Sequence, residues 1–275
     1  MLRDITLGQY YQVDSPIHRL DPRTKLMGTM VYIVTVFLYR NLTIYLIALL
    51  FLAMAIKCSK VPLSFILRGL KAIVILLLIT ALFNLFLTQG EPILSFWKFH
   101  LTKEGISNAF FLCVRLIFLI IGSSLMTLTT TPNQLTDALE SLLGPLKKIK
   151  VPVHEVAMMM SIALRFIPIL MEETDKIMKA QMARGAEFDS GKLMKKVKAL
   201  IPLLVPLFVS AFRRANDLAM AMEARCYQGG EGRTKMKPLH YGAGDGLAFL
   251  ILCIYLAAAI ILGKYFALPL LFFLG

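Results

Sequence analysis

The distribution of apolar residues limits what this chain can fold into more than any other feature of its sequence. Five apolar runs long enough to enter a lipid bilayer lie at residues 26–39, 42–56, 72–89, 106–130 and 246–262. Hydrophobic residues make up 57% of the 275 positions and charged residues only 17%, a balance that a soluble domain of this length does not need. The sequence therefore predicts an all-α integral membrane protein with about five transmembrane helices.

The first two runs are short for separate crossings, because a transmembrane helix needs about 20 apolar residues. Only Arg40 and Asn41 separate them, and together they are too long for one crossing. A tight helical hairpin is the favoured interpretation, and a re-entrant pair is the alternative. Asp21 and Pro22 suit the cap and the first position of the first helix.

Basic residues predict the orientation of the chain, whose formal net charge is +13. They precede the first run and fill the connection between the second and third runs, at Arg19, Arg23, Lys25, Lys57, Lys60, Arg68 and Lys71. By the positive-inside rule, the N-terminus and the basic segment 131–244 lie in the cytoplasm and the C-terminus lies outside. Because these charges lie beside apolar runs, we expect anionic lipid as their partner and no nucleic acid.

The segment 131–244 is too polar to span a membrane and too apolar to be a solvated loop. Its pattern predicts three helices. Thr131 and Gln134 form a capping box at the start of the first helix. The second helix is expected from about 152 to 184, with a kink at a proline, and the third from about 192 to 225.

Helices of some thirty residues would be about 45 Å long, a length that suits arms reaching outward from a membrane domain. The chain thus divides into residues 1–130 with four transmembrane helices, residues 131–244 with long crossed cytoplasmic helices, and residues 245–275 with the last transmembrane helix.

Small residues on the third of these helices predict a helix crossing. Ala211, Ala215 and Ala219 repeat every four residues, and such a stripe lets two backbones approach closely. The alternative is that alanine is present only because it favours helices.

Methionine is concentrated in the same segment, where it includes the run Met158, Met159 and Met160. Flexible, polarizable side chains suit a surface that accepts several partners, and ordinary core filling is the alternative.

The sequence lacks the patterns of an enzyme. Its histidines and four cysteines are dispersed, without metal-ligand spacing, and it has no phosphate-binding loop of the G-x-x-x-x-G-K-[ST] type. We therefore expect no catalytic site, no bound metal and no cofactor. Arg115 lies within the fourth run, but no run contains an acidic partner for it, so a stand-alone secondary transporter is not favoured.

Two similar tripeptides end the two long predicted helices: Ala183-Arg184-Gly185 and Ala224-Arg225-Cys226. The helix dipole would favour an arginine at either end. It does not account for the shared context, whereas two guanidinium groups on two tips would suit a partner with two similar carboxylate-containing sockets.

Five motifs, in order and at matching spacing, resemble those of one family over essentially the whole chain. They are SPIHRLDPRTKL at 15–26, TTTPNQLTDALE at 129–140, ALRFIPILMEE at 163–173, AQMARG at 180–185 and FRRANDLAMAMEARCYQGGEGRT at 212–234. The chain resembles the transmembrane T component of energy-coupling factor (ECF) transporters, a branch of the ABC importers.

The resemblance implies a non-catalytic coupling subunit of the prokaryotic cell membrane, with ATP bound and hydrolysed by partner subunits. Its two tips, at residues 183–185 and 224–226, would dock in grooves on two ABC-type ATPase subunits. The second tip departs from the family pattern because Cys226, although small, replaces glycine.

The membrane-facing side of the coupling helices, including Met158 to Met160, would carry an interchangeable substrate-binding S component for a vitamin or other micronutrient. The resemblance is closest to the shared type of T component, which serves several S components. Dedicated cobalt, nickel or biotin types are similar in sequence and remain the alternative.

Overall fold

The computed structural model describes residues 9–39, 41–71, 73–88, 92–96, 99–186, 193–230 and 235–265. Their regular secondary structure is helical apart from one antiparallel pair of short strands, which agrees with the predicted all-α class. The described residues form two compact units. Among the described residues, the terminal unit consists of those within Gly8–Ala138 and those from Leu239 onward, and the central unit consists of those within Leu139–Pro238.

Helices α1 (Pro22–Leu38) and α2 (Leu42–Ser59) occupy the first two predicted runs in the terminal unit. Their arrangement as a membrane-crossing hairpin, with a re-entrant pair as the alternative, stays a prediction. They are followed by α3 (Leu63–Lys71), α4 (Val74–Leu87), strands β1 (Pro92–Phe96) and β2 (Phe99–Thr102), α5 (Lys103–Thr129), the start of α6 (Pro132–Leu142) and α9 (Ala243–Tyr265). The central unit contains the end of α6, a 3₁₀ helix (Gly144–Ile149), α7 (Val153–Ala183) and α8 (Leu193–Ala224).

Length and composition allow four described helices to cross a membrane: α2, α5, α7 and α9. A fifth span is possible if α3 and α4, which meet at an angle of 57°, count together. Helix α1 has 17 residues, or about 25 Å. The assignment of α7 to the cytoplasm stays a prediction, because an 18-residue stretch of this helix is apolar enough to span a bilayer.

Two features between the second and fourth predicted runs were not anticipated from the sequence. The basic connection after α2 contains α3, an amphipathic helix that buries Ile66 and exposes Leu63 and Leu67. Part of the loop 90–105 forms an antiparallel pair of strands, in which Phe96 is opposite Phe99.

The start of α1 follows the predicted pattern. The Asp21 carboxylate accepts a hydrogen bond from the backbone N–H of Arg23, and Pro22 occupies the first turn. Burial alone would raise the pKa of Asp21, but hydrogen bonds from Arg23 outweigh burial and keep this pKa below its ordinary value. The backbone N–H of Asp21 donates to Asp245 of α9, so the same residue joins the two ends of this unit.

The terminal unit has an aromatic core between α1, α2, α5 and α9. Its buried rings are Tyr32, Tyr45, Phe111, Phe118 and Tyr255. Gly122 of α5 is required there, because a Cβ at this position would lie 2.8 Å from the Tyr32 ring. The guanidinium of Arg115 donates to the Tyr45 hydroxyl at 3.3 Å and lies over the Phe37 ring.

The three helices predicted within 131–244 are α6, α7 and α8. Gln134 and Thr131 exchange the two hydrogen bonds of the predicted capping box at 3.1 and 3.3 Å. Helix α7 continues through Pro168, and α8 continues through Pro202 and Pro206.

Candidate functional site

The two arginine tips have the same backbone structure. At the end of α7, the N–H of Gly185 donates to Met182 O at 2.9 Å and the N–H of Ala186 donates to Gln181 O at 3.0 Å. At the end of α8, the N–H of Cys226 donates to Glu223 O at 2.9 Å and that of Tyr227 to Met222 O at 3.0 Å. Both sets are the Schellman motif, which closes a helix through a left-handed residue.

The left-handed residue differs between the tips. Gly185 has a φ of +88°, which glycine adopts without strain, and Cys226 has a φ of 55°. A left-handed conformation costs a residue with a Cβ about 1–2 kcal/mol. Cys226 therefore reproduces the geometry of Gly185 at an energetic cost, which is consistent with selection for the shape of the tip rather than for its stability.

The corresponding residues of the two tips are also exposed alike. Ala183, Arg184 and Gly185 are exposed at one tip, and Ala224, Arg225 and Cys226 are exposed at the other. Within the described residues, neither the Arg184 nor the Arg225 side chain has a hydrogen bond or ion pair. Each guanidinium is thus available to bind a group outside this chain.

An ion pair joins α7 and α8 at equivalent positions. Arg214 Nη2 lies 3.4 Å from Glu173 Oε2, and these residues are 41 positions apart in sequence. The same offset relates Arg184 to Arg225, so each member of the pair lies eleven residues before its own tip arginine. Each arm beyond the contact is therefore about 16 Å long.

The least exposed positions of α8 identify the face that packs in this unit. They follow one helical stripe that includes Leu203, Leu207, Ala211, Arg214, Leu218 and Met222. Ala215 and Ala219 are exposed, and of the predicted crossing residues only Ala211 is partly buried. After Ala211 the packed stripe continues three residues later, at Arg214, and so stays on one side of the helix. Ala215 and Ala219 follow in steps of four residues only, which turn gradually away from that side. The alanine crossing stays a prediction.

An exposed apolar surface lies along the other side of α8. It includes Val205, Phe208, Val209 and Phe212, and the two phenylalanines are 60% and 67% exposed. Arg213, Asn216 and Asp217 continue this face toward the tip. These residues were not predicted as a site from the sequence, although they lie in an apolar run between Pro202 and Arg213. We call Val205, Phe208, Val209 and Phe212 the α8 apolar face.

The predicted methionine surface on α7 is partly exposed. Met159 and Met160 are exposed, and Met158 is half-buried. Their placement is compatible with a role in binding, and the role itself stays a prediction.

A charged cluster that was not predicted from the sequence joins three parts of the central unit. Glu140 of α6 contacts His154 Nδ1 of α7 at 2.8 Å and Lys235 Nζ, beyond α8, at 2.7 Å. Burial raises the pKa of Glu140, but hydrogen bonds with Lys235 and His154 outweigh this effect and leave the pKa below its ordinary value. Gly230 lies so close to the His154 ring that a Cβ there would overlap it.

Comparison with known proteins gives consistent matches over nearly the full length. The model of the family CbiQ, cobalt transport protein, matches residues 14–236. An energy-coupling factor transporter transmembrane protein EcfT from Clostridium kluyveri is 54% identical over 270 residues, which cover 96% of this chain and 100% of that protein.

Proteins of the same name from Bacillus subtilis and Lactococcus lactis are also similar. The first is 49% identical over 261 residues, covering 94% of this chain and 97% of that protein. The second is 44% identical over 264 residues, covering 96% and 99%. Both tips described above lie within the matched family region.

Proposed function

Because this chain belongs to the cobalt transport protein (CbiQ) family, with energy-coupling factor transporter transmembrane proteins as its relatives, we propose that it transmits ATP-driven movement to a substrate-binding subunit. It acts as the transmembrane component of such a transporter and is a transporter subunit rather than an enzyme. ATP is bound and hydrolysed by two partner ATPase subunits. The cytoplasmic face carries the central unit.

The observation that carries this proposal is the equivalence of the two tips. Each tip ends in a Schellman motif and carries one exposed arginine. The two arginines are the same number of residues from the Glu173–Arg214 contact. Two similar sockets on a pair of homologous ATPases would accept such tips. A guanidinium inserted there would bind carboxylate or carbonyl groups through its fork of donors.

The substrate-binding S component is expected on the α8 apolar face together with Met159 and Met160. A large exposed apolar patch marks a site for a protein partner or lipid. Flexible methionines allow the same surface to accept S components of different sequence. Movement of the ATPases would shift the tips, tilt α7 and α8, and so reorient the bound S component in the membrane.

Charge reversal at both tips tests this function. We expect Arg184→Glu with Arg225→Glu to abolish co-purification of the ATPase subunits and substrate uptake. Each socket would then face a carboxylate, which the acceptor groups of the socket repel. Lys148→Glu with Lys237→Glu is the matched control, since both lysines are exposed in the central unit and the change in net charge is the same. Undiminished uptake in the tip variant would refute the proposal.

A dedicated cobalt, nickel or biotin importer is the second candidate, because the matching family model is described by cobalt transport. It would use the same two tips and differ only in having one S component. The relatives named EcfT favour the shared type.

A further inference from the structure

A cavity in the terminal unit is not required by the coupling function. It has a volume of about 280 Å³ and is enclosed by α1, α2, α5, α9 and the turn before α1. Phe51, Leu125 and Leu252 are typical of its lining. Met54 of α2 and Leu247 of α9 also line it and are 48% and 63% exposed, so the cavity opens at the outer surface of this unit.

Two polar groups interrupt the apolar lining near the N-terminal end of α1. Thr24 is 4% exposed, and its hydroxyl has no partner among the described residues. Lys25 is also buried, and its ammonium donates to Thr129 O at 2.9 Å and to His18 O at 3.2 Å. An ammonium has three donors, so one remains after these two bonds.

Such groups indicate a missing ligand, because buried polar atoms in proteins are nearly always hydrogen-bonded. A ligand that completes this site needs acceptor oxygens at one end and an apolar body at the other. Apolar cavities of this kind exclude water and take up apolar molecules. In a bilayer, the molecule that combines both properties and surrounds the protein is a phospholipid.

We propose that this cavity binds one acyl chain of an anionic phospholipid, with the headgroup phosphate at Lys25 and Thr24. Taking about 30 Å³ for a group the size of a water molecule, the cavity holds roughly nine such groups, a number shared between the phosphate and the first part of the acyl chain. The rest of the chain leaves past Met54 and Leu247. The ammonium donates to a phosphate oxygen, and such charge-assisted bonds favour an anionic headgroup over a zwitterionic one.

Two glycines provide a variant and a matched control. Gly28 of α1 lines the cavity, and a Cβ there would meet no atom within 4 Å. The side chain added by Gly28→Leu should therefore project into the space that the acyl chain occupies. Gly246 of α9 is equally open, but it is not part of the lining, so Gly246→Leu adds the same side chain outside the cavity.

The experiment measures lipid that stays bound to the full chain. The protein is reconstituted in vesicles of equal phosphatidylglycerol and phosphatidylcholine, extracted into mild detergent and examined by native mass spectrometry. We expect the wild type and Gly246→Leu to retain one phosphatidylglycerol per chain, and Gly28→Leu to retain at least tenfold less. Lys25→Met should lose the preference for phosphatidylglycerol over phosphatidylcholine.

Circular dichroism and elution volume establish that each variant is folded. If Gly28→Leu aggregates, Ala248→Leu fills the cavity from α9 instead and should give the same loss of lipid. Equal retention by a folded cavity-filling variant and the wild type, or no retained lipid in the wild type, would overturn the proposal.

Discussion

Cys226 shows how a single residue can preserve a shape that its chemistry does not favour. Glycine adopts the left-handed backbone most readily, and it occupies the equivalent position at the α7 tip. Cys226 nevertheless adopts the left-handed backbone and accepts the same hydrogen-bond arrangement. The backbone N–H groups of Cys226 and Tyr227 bond carbonyls that would otherwise be left unpaired at the helix end, and this gain offsets the local strain.

Exchanging the residues at the two left-handed positions should change stability in opposite directions. We expect Cys226→Gly to stabilise the α8 end, and Gly185→Cys to destabilise the α7 end, each by about 1–2 kcal/mol, because only the strain of the left-handed residue changes. A Cβ at Gly185 meets no other atom within 4 Å, so steric contact adds nothing. Hydrogen exchange of the last-turn amides measures both effects. Unchanged exchange in Cys226→Gly would mean that the cysteine is not strained.

At the scale of the elements, the Glu173–Arg214 pair sets the relation between α7 and α8. Its side chains are 27% and 39% exposed, so the pair adds little to stability. Its position matters more, because it lies equally far from the two tips and fixes the register of one helix against the other. A shift of one turn along either helix would make the arms unequal by about 5 Å.

Reversing either member of this pair should impair coupling, and reversing both should restore it. Glu173→Arg or Arg214→Glu places like charges together and should lower uptake several-fold, while stability changes by less than about 1 kcal/mol. The double variant regenerates the pair with opposite polarity. Uptake per assembled complex is the measurement. A double variant as impaired as the single variants would show that the residues act separately.

The Glu140 cluster predicts an acid-sensitive central unit. Because the folded-state pKa of Glu140 is lowered, its stabilising contribution is complete above the ordinary value of 4.5 and is lost as the pH falls through the folded-state value. Glu140→Gln should remove about 1–3 kcal/mol at neutral pH and reduce the loss on acidification. Thermal unfolding between about pH 6 and pH 3 tests this. Glu155→Gln, at an exposed site on α7, should behave as the wild type.

The whole molecule combines a unit of apolar helices with a unit of two long arms, of 31 and 32 residues. The terminal unit is held by an aromatic core and by Asp21 bound to Asp245 across 224 residues of sequence. The central unit exposes both tips and the α8 apolar face. An isolated chain with so much exposed apolar surface is expected to function within a larger assembly.

Purification of the tagged full chain from its own host in mild detergent tests that expectation. Two ABC-type ATPases with several small membrane proteins are expected, because one exposed apolar face can serve several S components. A single membrane protein with the ATPases would favour the dedicated importer. Recovery of the chain without any ATPase would contradict the proposed function and return attention to a stand-alone secondary transporter.

Local patterns in the sequence determined the helices, because each depends on residues within about one turn. The apolar runs, the capping box of Thr131 and Gln134, and the arginine tips could all be predicted in this way. The left-handed state of Cys226 could not, because cysteine has no preference for it. Its equivalence to Gly185 appeared only in the backbone hydrogen bonds.

Contacts between distant residues required the tertiary structure. The alanine crossing on α8 stays a prediction, and within the central unit the packed stripe includes Ala211 but not Ala215 or Ala219. The neighbour that a helix meets is chosen by packing and not by its own periodicity. Glu140, His154 and Lys235 meet for the same reason. The sequence by itself determined the long helices and the family to which the chain belongs, whereas α3 and the strand pair were not anticipated from it. Only the tertiary structure decided which faces are buried and which remain available to partners.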